Sequence, residues 1–147
     1  MSDEAEAVTT WEALFRAQVA VMRRLGADFP RDGISFNGYD VMYTLTRAPQ
    51  RSLRLRDLTA SALLTQPSIS RLVDRLAARG LVEKLPDERD ARGTVIRLTD
   101  SGREVFHALA LVHGASIRRI VGEALDPAEL AELARLSNRL RANLPAD

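Results

Sequence analysis

The chain has 147 residues, 46% of them hydrophobic, and contains no cysteine. Its length suits one compact domain with its own core, and the absence of cysteine excludes disulfides, thiolate metal sites and cysteine nucleophiles. The net charge of +1 is unevenly distributed, because residues 51–103 carry 11 basic and 7 acidic side chains between two mildly acidic flanks. A basic middle segment is typical of a surface that faces a polyanion.

The chain also lacks the marks of a membrane or secreted protein. It has no run of about 18 apolar residues, and its first residues are acidic rather than basic and then apolar. We therefore expect a cytoplasmic protein with no membrane partner.

Apolar residues at helical spacing predict four helices in the first half of the chain, over residues 9–25, 36–48, 55–63 and 65–79. Thr9 and Glu12 have the spacing of a capping box, so Thr9 is the expected start of the first helix. Ser35 precedes the second helix, which must end before Pro49. Gly80 is positioned to cap the end of the fourth.

The second half of the chain begins with two short β-prone runs, residues 81–85 and 94–99. A charged tip from Pro86 to Gly93 separates them, which predicts a β-hairpin. Helical spacing resumes near Ser101, with Glu104 as its expected capping partner, and Asp126 begins a last helix. That last helix carries an apolar stripe of four leucines, Leu130, Leu133, Leu136 and Leu140.

This order of elements, mainly α with a small β-hairpin wing, is that of a winged helix-turn-helix. Residues 65–79 form its recognition helix. The face that packs carries Ile69, Leu72, Val73 and Leu76, and the face that reads DNA carries Ser68, Arg71 and Arg75. Arginine can pair bidentately with guanine in the major groove, and a helix N-terminus favours a phosphate. Gln66 and Ser70 are secondary candidates at that end.

The hairpin tip supplies a second set of candidates. Arg89 and Arg92 suit the minor groove, where a narrow A/T-rich stretch attracts guanidinium groups. Asp90 repels phosphate, and we expect it to pair with Arg92 and orient that side chain. Taken alone, the tip fits an ordinary charged turn equally well.

The run from Leu58 to Gly102 resembles the MarR family of bacterial transcriptional regulators. The matching segments, in order, are Gln66–Leu76, Arg79–Glu83, Asp87–Gly93 and Leu98–Gly102. The chain departs from the family pattern at Glu88, where proline is common, and at Ala91, where a second basic residue is common. These departures predict weaker wing contacts, for which Arg89 would compensate.

The resemblance implies a repressor that binds palindromic duplex DNA as a homodimer. It places Ser68, Ser70, Arg71 and Arg75 on the recognition helix and Asp90 and Arg92 at the wing. In the single MarR-type domain, residues 34–103 would form the DNA-binding lobe, and residues 1–33 and 104–147 the helical dimerisation region.

The resemblance also allows release of the DNA by a small aromatic or anionic effector between the two regions. Phe36, Tyr39 and Tyr43 lie on the helix that would line such a site, and Arg75 and Lys84 could supply charge. Aromatic residues at helical spacing are more often part of a core, so these positions are not assigned to a site.

The apolar stripes independently favour a dimer, because a monomer would leave the first and last helices incompletely covered. The alternative is that these helices pack within one chain. A twofold dimer spaces its recognition helices about one DNA turn, roughly 34 Å, so the expected operator is an inverted repeat.

Two other classes of function are alternatives to DNA binding. An enzyme is disfavoured because His107 and His113 lie six residues apart on one helix and no nucleophile elbow or phosphate loop is present. We accordingly predict no catalytic residue, metal or cofactor, although histidine and carboxylate ligands brought together by folding remain an alternative. The second is a winged-helix module that binds protein, which would not need the basic face of Arg71 and Arg75.

Overall fold

A computed structural model of the chain describes residues 2–61 and 66–145. It contains two compact units: a central unit, Phe29–Val112, and an end unit built from the residues up to Asp28 and from His113 onward. The helices are α1 (Asp3–Asp28), α2 (Phe36–Thr46), α3 (Leu55–Ser61), α4 (Gln66–Ala78), α5 (Asp100–Ile117) and α6 (Pro127–Ala142). The strands are β1 (Ser52–Arg54), β2 (Val82–Asp87) and β3 (Asp90–Leu98). This mainly helical architecture with a β-hairpin confirms the predicted fold class.

The core of the central unit is formed by residues from α2, α3, α4 and the sheet. Leu45, Leu58, Ile69 and Ile96, one from each, have no exposed surface. Full burial of such a side chain contributes roughly 1.5 to 3 kcal/mol, so these contacts hold the helices against the sheet. The predicted end of the third helix, residues 62 and 63, lies outside the described residues.

Two helix ends of the central unit match the sequence signals. The Ser35 hydroxyl accepts a hydrogen bond from the Gly38 amide at 3.0 Å, which caps the start of α2. At the end of α4, Gly80 has a φ of 72°, and the Leu81 amide donates to the Leu76 carbonyl at 3.0 Å. A left-handed residue is needed there, and glycine adopts that conformation without a steric penalty.

The sheet has the order β1-β3-β2, and both pairings are antiparallel. The hairpin of β2 and β3 confirms the wing, although its strands extend further into the charged tip than predicted and leave only Glu88 and Arg89 as the turn. The sequence did not predict β1. It has three residues and no alternating pattern, and it forms a strand because Leu53 pairs with Ile96, a residue far along the chain.

The start of α5 differs from its prediction. The helix begins at Asp100, and Thr99, rather than Ser101, caps it by accepting a hydrogen bond from the Gly102 amide at 2.9 Å. The Thr99 hydroxyl also donates to the Gly80 carbonyl at 2.7 Å. Thr99 takes the capping position because its hydroxyl can reach both the start of α5 and the end of α4. Ser101 lies inside the helix and cannot make these contacts.

The end unit contains α1, α6 and a π-helical turn, Arg118–Gly122. The predicted cap at Thr9 is wrong, because α1 already begins at Asp3 and the Thr9 hydroxyl donates back to the Ala5 carbonyl at 2.8 Å. The predicted cap at Asp126 is correct: its side chain accepts a hydrogen bond from the Glu129 amide at 2.9 Å, and the Glu129 carboxylate accepts one from the Asp126 amide.

The end unit exposes large apolar side chains on two helices. On α6, Leu133, Leu136 and Leu140 remain 44%, 47% and 52% exposed, and on α1 Trp11 and Phe15 are 56% and 48% exposed. The predicted stripes are therefore present and largely uncovered in a single chain. Within the described part of the chain, no helix is long and apolar enough to cross a membrane.

Candidate nucleic-acid interface

The two faces of α4 differ in burial as the sequence predicted. The packing face is buried, with Ile69 at 0%, Leu72 and Leu76 at 4% and Val73 at 1% exposure. On the opposite face Arg71 and Arg75 are exposed, one helical turn apart, and Ser68 is half-buried. Because four buried anchors fix the orientation of α4, the two guanidinium groups project together from one side of the central unit.

The serine and glutamine candidates lie at the N-terminal end of α4. Gln66 is the first residue of the helix and Pro67 occupies its first turn, where the missing amide hydrogen is tolerated. Ser70 is half-buried, like Ser68. The side chain of Gln66 and the predicted first residue of the helix, Thr65, lie outside the described part of the chain.

An ion pair joins the recognition helix to the wing. The Lys84 ammonium of β2 lies 2.5 Å from the Asp74 carboxylate of α4. Within the described residues, neither Arg71 nor Arg75 forms an ion pair, so the positive charge of both is available to a ligand. The sequence also allows Lys84 to supply charge to an effector, but in the structure its ammonium is paired with Asp74.

The wing tip presents three of the predicted residues. Arg89, Asp90 and Arg92 are all exposed around the two-residue turn. Asp90 does hold Arg92, but through its backbone: Oδ1 accepts a hydrogen bond from the Arg92 amide at 3.0 Å. No ion pair between described side chains joins these two residues. The structure therefore does not contain the expected pairing of the Asp90 carboxylate with the Arg92 guanidinium, and shows instead the bond that aspartate readily forms with the backbone two residues on.

Two residues of the wing base were not identified from the sequence. The Asp87 carboxylate is 6% exposed and forms an ion pair with the guanidinium of Arg54, with 2.8 Å between Oδ2 and Nε. Its other oxygen, Oδ1, accepts a hydrogen bond from the Arg89 amide at 3.0 Å. The second contact has a local signal, since aspartate readily binds the backbone two residues on. The ion pair with Arg54 has no local signal, because it depends on the position of β1.

The aromatic residues of α2 belong to a cluster within the central unit. The rings of Tyr39 and Phe106 stack with their centroids 5.2 Å apart, and Phe29 lies 5.7 Å from Tyr39. Burial, followed by the nearby Tyr43 and Asp40, raises the pKa of Tyr39. Tyr39 packs against the core, whereas Tyr43 is 42% exposed.

Histidine and carboxylate side chains are the residues from which folding could assemble a metal site. Among residues 2–61 and 66–145, no group of three or more such side chains could hold a metal ion. His107 is exposed, and His113 is buried.

Comparison with known proteins gives a consistent result. The family model described as "MarR family" matches residues 32–93. The transcriptional activatory protein BadR of Rhodopseudomonas palustris is 30% identical over 95 residues, which cover 64% of this chain and 53% of BadR. This chain spans about half the length of the curated relatives it matches.

Solved structures match over nearly the whole chain. The MarR family transcriptional regulator Sco3205 from Streptomyces coelicolor, in complex with DNA, has a TM-score of 0.84 and 28% identity, covering 97% of this chain and 90% of that one. BpsR of Bordetella bronchiseptica, from a structure concerned with the regulation of its DNA binding by 6-hydroxynicotinic acid, has a TM-score of 0.78 at 21% identity, covering 91% and 93%. The family model, the relatives and the shared winged-helix fold agree, and this chain is similar to MarR family regulators.

Proposed function

We propose that this protein is a transcription regulator that binds duplex DNA of defined sequence. The observation that carries the proposal is the exposed pair Arg71 and Arg75 on a helix whose opposite face is buried. A helix of this kind fits the major groove of B-DNA, where arginine distinguishes guanine from the other bases. The Sco3205 structure contains DNA, which supports the same use of the fold here. No catalytic step is part of the proposal.

The proposed contacts divide between base edges and backbone. Arg71 and Arg75 read bases, while Gln66, Ser68 and Ser70 contact bases or phosphates near the helix N-terminus. At the wing, Arg89 and Arg92 enter the minor groove, and Asp90 positions the backbone at Arg92. The exposure of Arg89 in the two-residue turn and of Arg92 near the start of β3 supports this assignment.

The active form is proposed to be a homodimer joined through the end unit. The uncovered leucines of α6 and the aromatic residues of α1 support this, because a surface of that kind is stabilised by burial against a second copy. Two recognition helices about one DNA turn apart, roughly 34 Å, would read an inverted repeat.

We further propose that the protein represses transcription and that a small molecule releases it from DNA. The DNA binding of BpsR is regulated by 6-hydroxynicotinic acid, so small aromatic and anionic compounds are the class to test. An effector acts only if it binds the DNA-competent and DNA-incompetent forms with different affinity. BadR is named an activator, so the sign of regulation requires a transcription assay with and without the protein.

The decisive experiment is selection of bound sequences from random duplex DNA, followed by footprinting of the enriched site. We expect an inverted repeat with half-sites about one helical turn apart. Enrichment of a single half-site at one subunit per duplex would contradict the dimer. A failure of any sequence to enrich, with weak binding that disappears in moderate salt, would contradict sequence-specific regulation and favour a protein-binding module.

A further inference from the structure

The residue that begins the wing tip is buried, although its neighbours are exposed. Asp87 is 7% exposed, while Pro86 before it and Glu88 after it face solvent. The pairing of β2 and β3 also shifts register between Pro86 and Asp87. Buried aspartates are rare unless their charge is paired, so this position requires a specific partner.

The two oxygens of the Asp87 carboxylate have different partners. Oδ2 lies 2.8 Å from Nε of Arg54, and Oδ1 accepts the Arg89 amide at 3.0 Å. One carboxylate thus connects the turn of the wing to a strand outside the hairpin. A charge-assisted contact is stronger and more directional than a neutral hydrogen bond, so the position of Asp87 is well defined.

The same carboxylate lies against the returning strand beside Arg92. A Cβ atom added at Gly93 would lie 3.1 Å from both Cβ and Oδ2 of Asp87. Because glycine has no Cβ, position 93 leaves room for the Asp87 carboxylate. Asp87 contacts the chain on both sides of the tip, at the amide of Arg89 and next to the residue that follows Arg92.

Arg54, the partner of Asp87, belongs to the body of the helix-turn-helix. It ends β1, where it pairs with Val95 of β3, and Leu55 directly after it begins α3. Leu53 and Leu55, on either side of Arg54, pack against the hydrophobic core. The guanidinium therefore starts from a backbone that is fixed on both sides.

From this geometry we infer that the ion pair between Arg54 and Asp87 positions Arg89 and Arg92 for DNA. Both members are positioning residues that act through the wing arginines, without touching DNA themselves. β1 pairs only with residues 95–97 of β3, so the outer part of the hairpin is two-stranded. A two-stranded ribbon is marginally stable in water, so a tip without further contacts would have to be ordered when DNA binds. The ion pair supplies that order in advance, which lowers the entropy lost on binding. The inference rests on the proposed function.

The variants Asp87→Asn and Arg54→Met test the inference in the full-length protein. Asp87→Asn removes the charge that Arg54 needs but keeps an oxygen that can accept the Arg89 amide. Arg54→Met removes the guanidinium and keeps an apolar side chain of similar length. Glu83→Gln is the matched control, because it removes another wing ion pair, Glu83 with Arg97, at the end of the hairpin away from the tip.

The informative measurement is the loss of affinity for a selected duplex that Arg92→Ala causes in each background. In the wild type and in Glu83→Gln we expect a loss of about 10-fold. In Asp87→Asn or Arg54→Met, affinity should already be reduced, and adding Arg92→Ala should cost no more than about 2-fold because Arg92 is no longer positioned. A purely structural role would lower thermal stability and leave the Arg92→Ala effect unchanged.

Amide hydrogen exchange in the free protein gives a second readout that needs no DNA. We expect the amides of residues 89–92 to exchange faster in Asp87→Asn and Arg54→Met, with the core amides of α4 still protected. Unchanged exchange at the tip, or a full Arg92→Ala effect in both variants, would overturn the inference while leaving DNA binding intact. A wild-type protein that selects no duplex would instead contradict the proposed function, and the inference with it.

Discussion

Lys84 and Asp74 form an ion pair that leaves the arginines of the recognition helix available. Asp74 lies three residues after Arg71 and directly before Arg75, so it could neutralise either of them. Its Oδ1 is 2.5 Å from Nζ of Lys84. Because Asp74 is paired with Lys84 of the wing, the exposed face of α4 that carries Arg71 and Arg75 remains positive.

We expect Arg71→Ala and Arg75→Ala each to weaken binding to the selected duplex by about 1 to 3 kcal/mol and to relax preference at particular base pairs. Arg92→Ala should act mainly on A/T-rich flanks. The measurement is affinity across operator variants and salt concentrations. Arg103→Ala, an exposed arginine on α5, is the charge control. Unaltered affinity and preference in all three variants would show that these residues are not the contact set.

Gly102→Ala should destabilise the protein strongly. A Cβ at position 102 would overlap the Leu81 carbonyl oxygen and lie 2.7 Å from Cδ1 of Leu98. Since backbone must move to relieve the overlap, we expect a loss of at least about 3 kcal/mol in the free energy of unfolding. Denaturant titration of the wild type and the variant measures this difference in the free energy of unfolding.

Gly80→Ala is the matched comparison. Nothing lies within 4 Å of a Cβ at Gly80, but its φ of 72° is unfavourable for alanine. We expect Gly80→Ala to lower the free energy of unfolding by about 1 to 2 kcal/mol. Equal losses in the two variants would contradict the steric explanation for Gly102.

Leu136→Glu should prevent assembly of the homodimer. Leu136 is 47% exposed in the middle of the α6 stripe, and a carboxylate buried between two copies would lack a partner. Sedimentation should show a monomer with reduced affinity for the inverted repeat. Arg135→Ala on the same helix should remain dimeric, because Arg135 carries a charge that is exposed and paired with Glu132 of its own helix, so its loss removes no apolar surface. An unchanged mass for Leu136→Glu would exclude this face from the interface.

The stability of the protein should fall as the solution becomes acidic through His113. Burial lowers the pKa of His113 from its ordinary value of 6.5. The neutral imidazole is favoured in the folded state, so its contribution is complete above the unfolded pKa and is lost as pH falls through the folded pKa.

Thermal unfolding of the wild type and His113→Gln from about pH 7.5 to about pH 5 tests this. The variant should show the shallower pH dependence, while His107→Gln, at an exposed position, should retain the wild-type slope. A wild-type slope in His113→Gln would assign the acid sensitivity to other groups.

The sequence by itself determined the elements whose signals are local. The alternation of buried and exposed residues on α4 depends on spacings of three and four residues, and the Asp126 cap on a spacing of three. Such contacts form within one helix, so they can be recognised without knowledge of the rest of the chain. The same reasoning was wrong at Thr9, because the pattern Thr-x-x-Glu also occurs inside a helix whose acidic first turn lies earlier, at Asp3.

Tertiary structure decided the features that depend on distant partners. Three residues become the strand β1 only because β3 supplies their hydrogen bonds, and Thr99 rather than Ser101 caps α5 because the end of α4 lies beside it. At the wing, the sequence placed Arg89 and Arg92 at the tip but could not show what holds the tip. That depends on Arg54 meeting Asp87, 33 residues along the chain, and only the packed sheet brings the two charges to 2.8 Å.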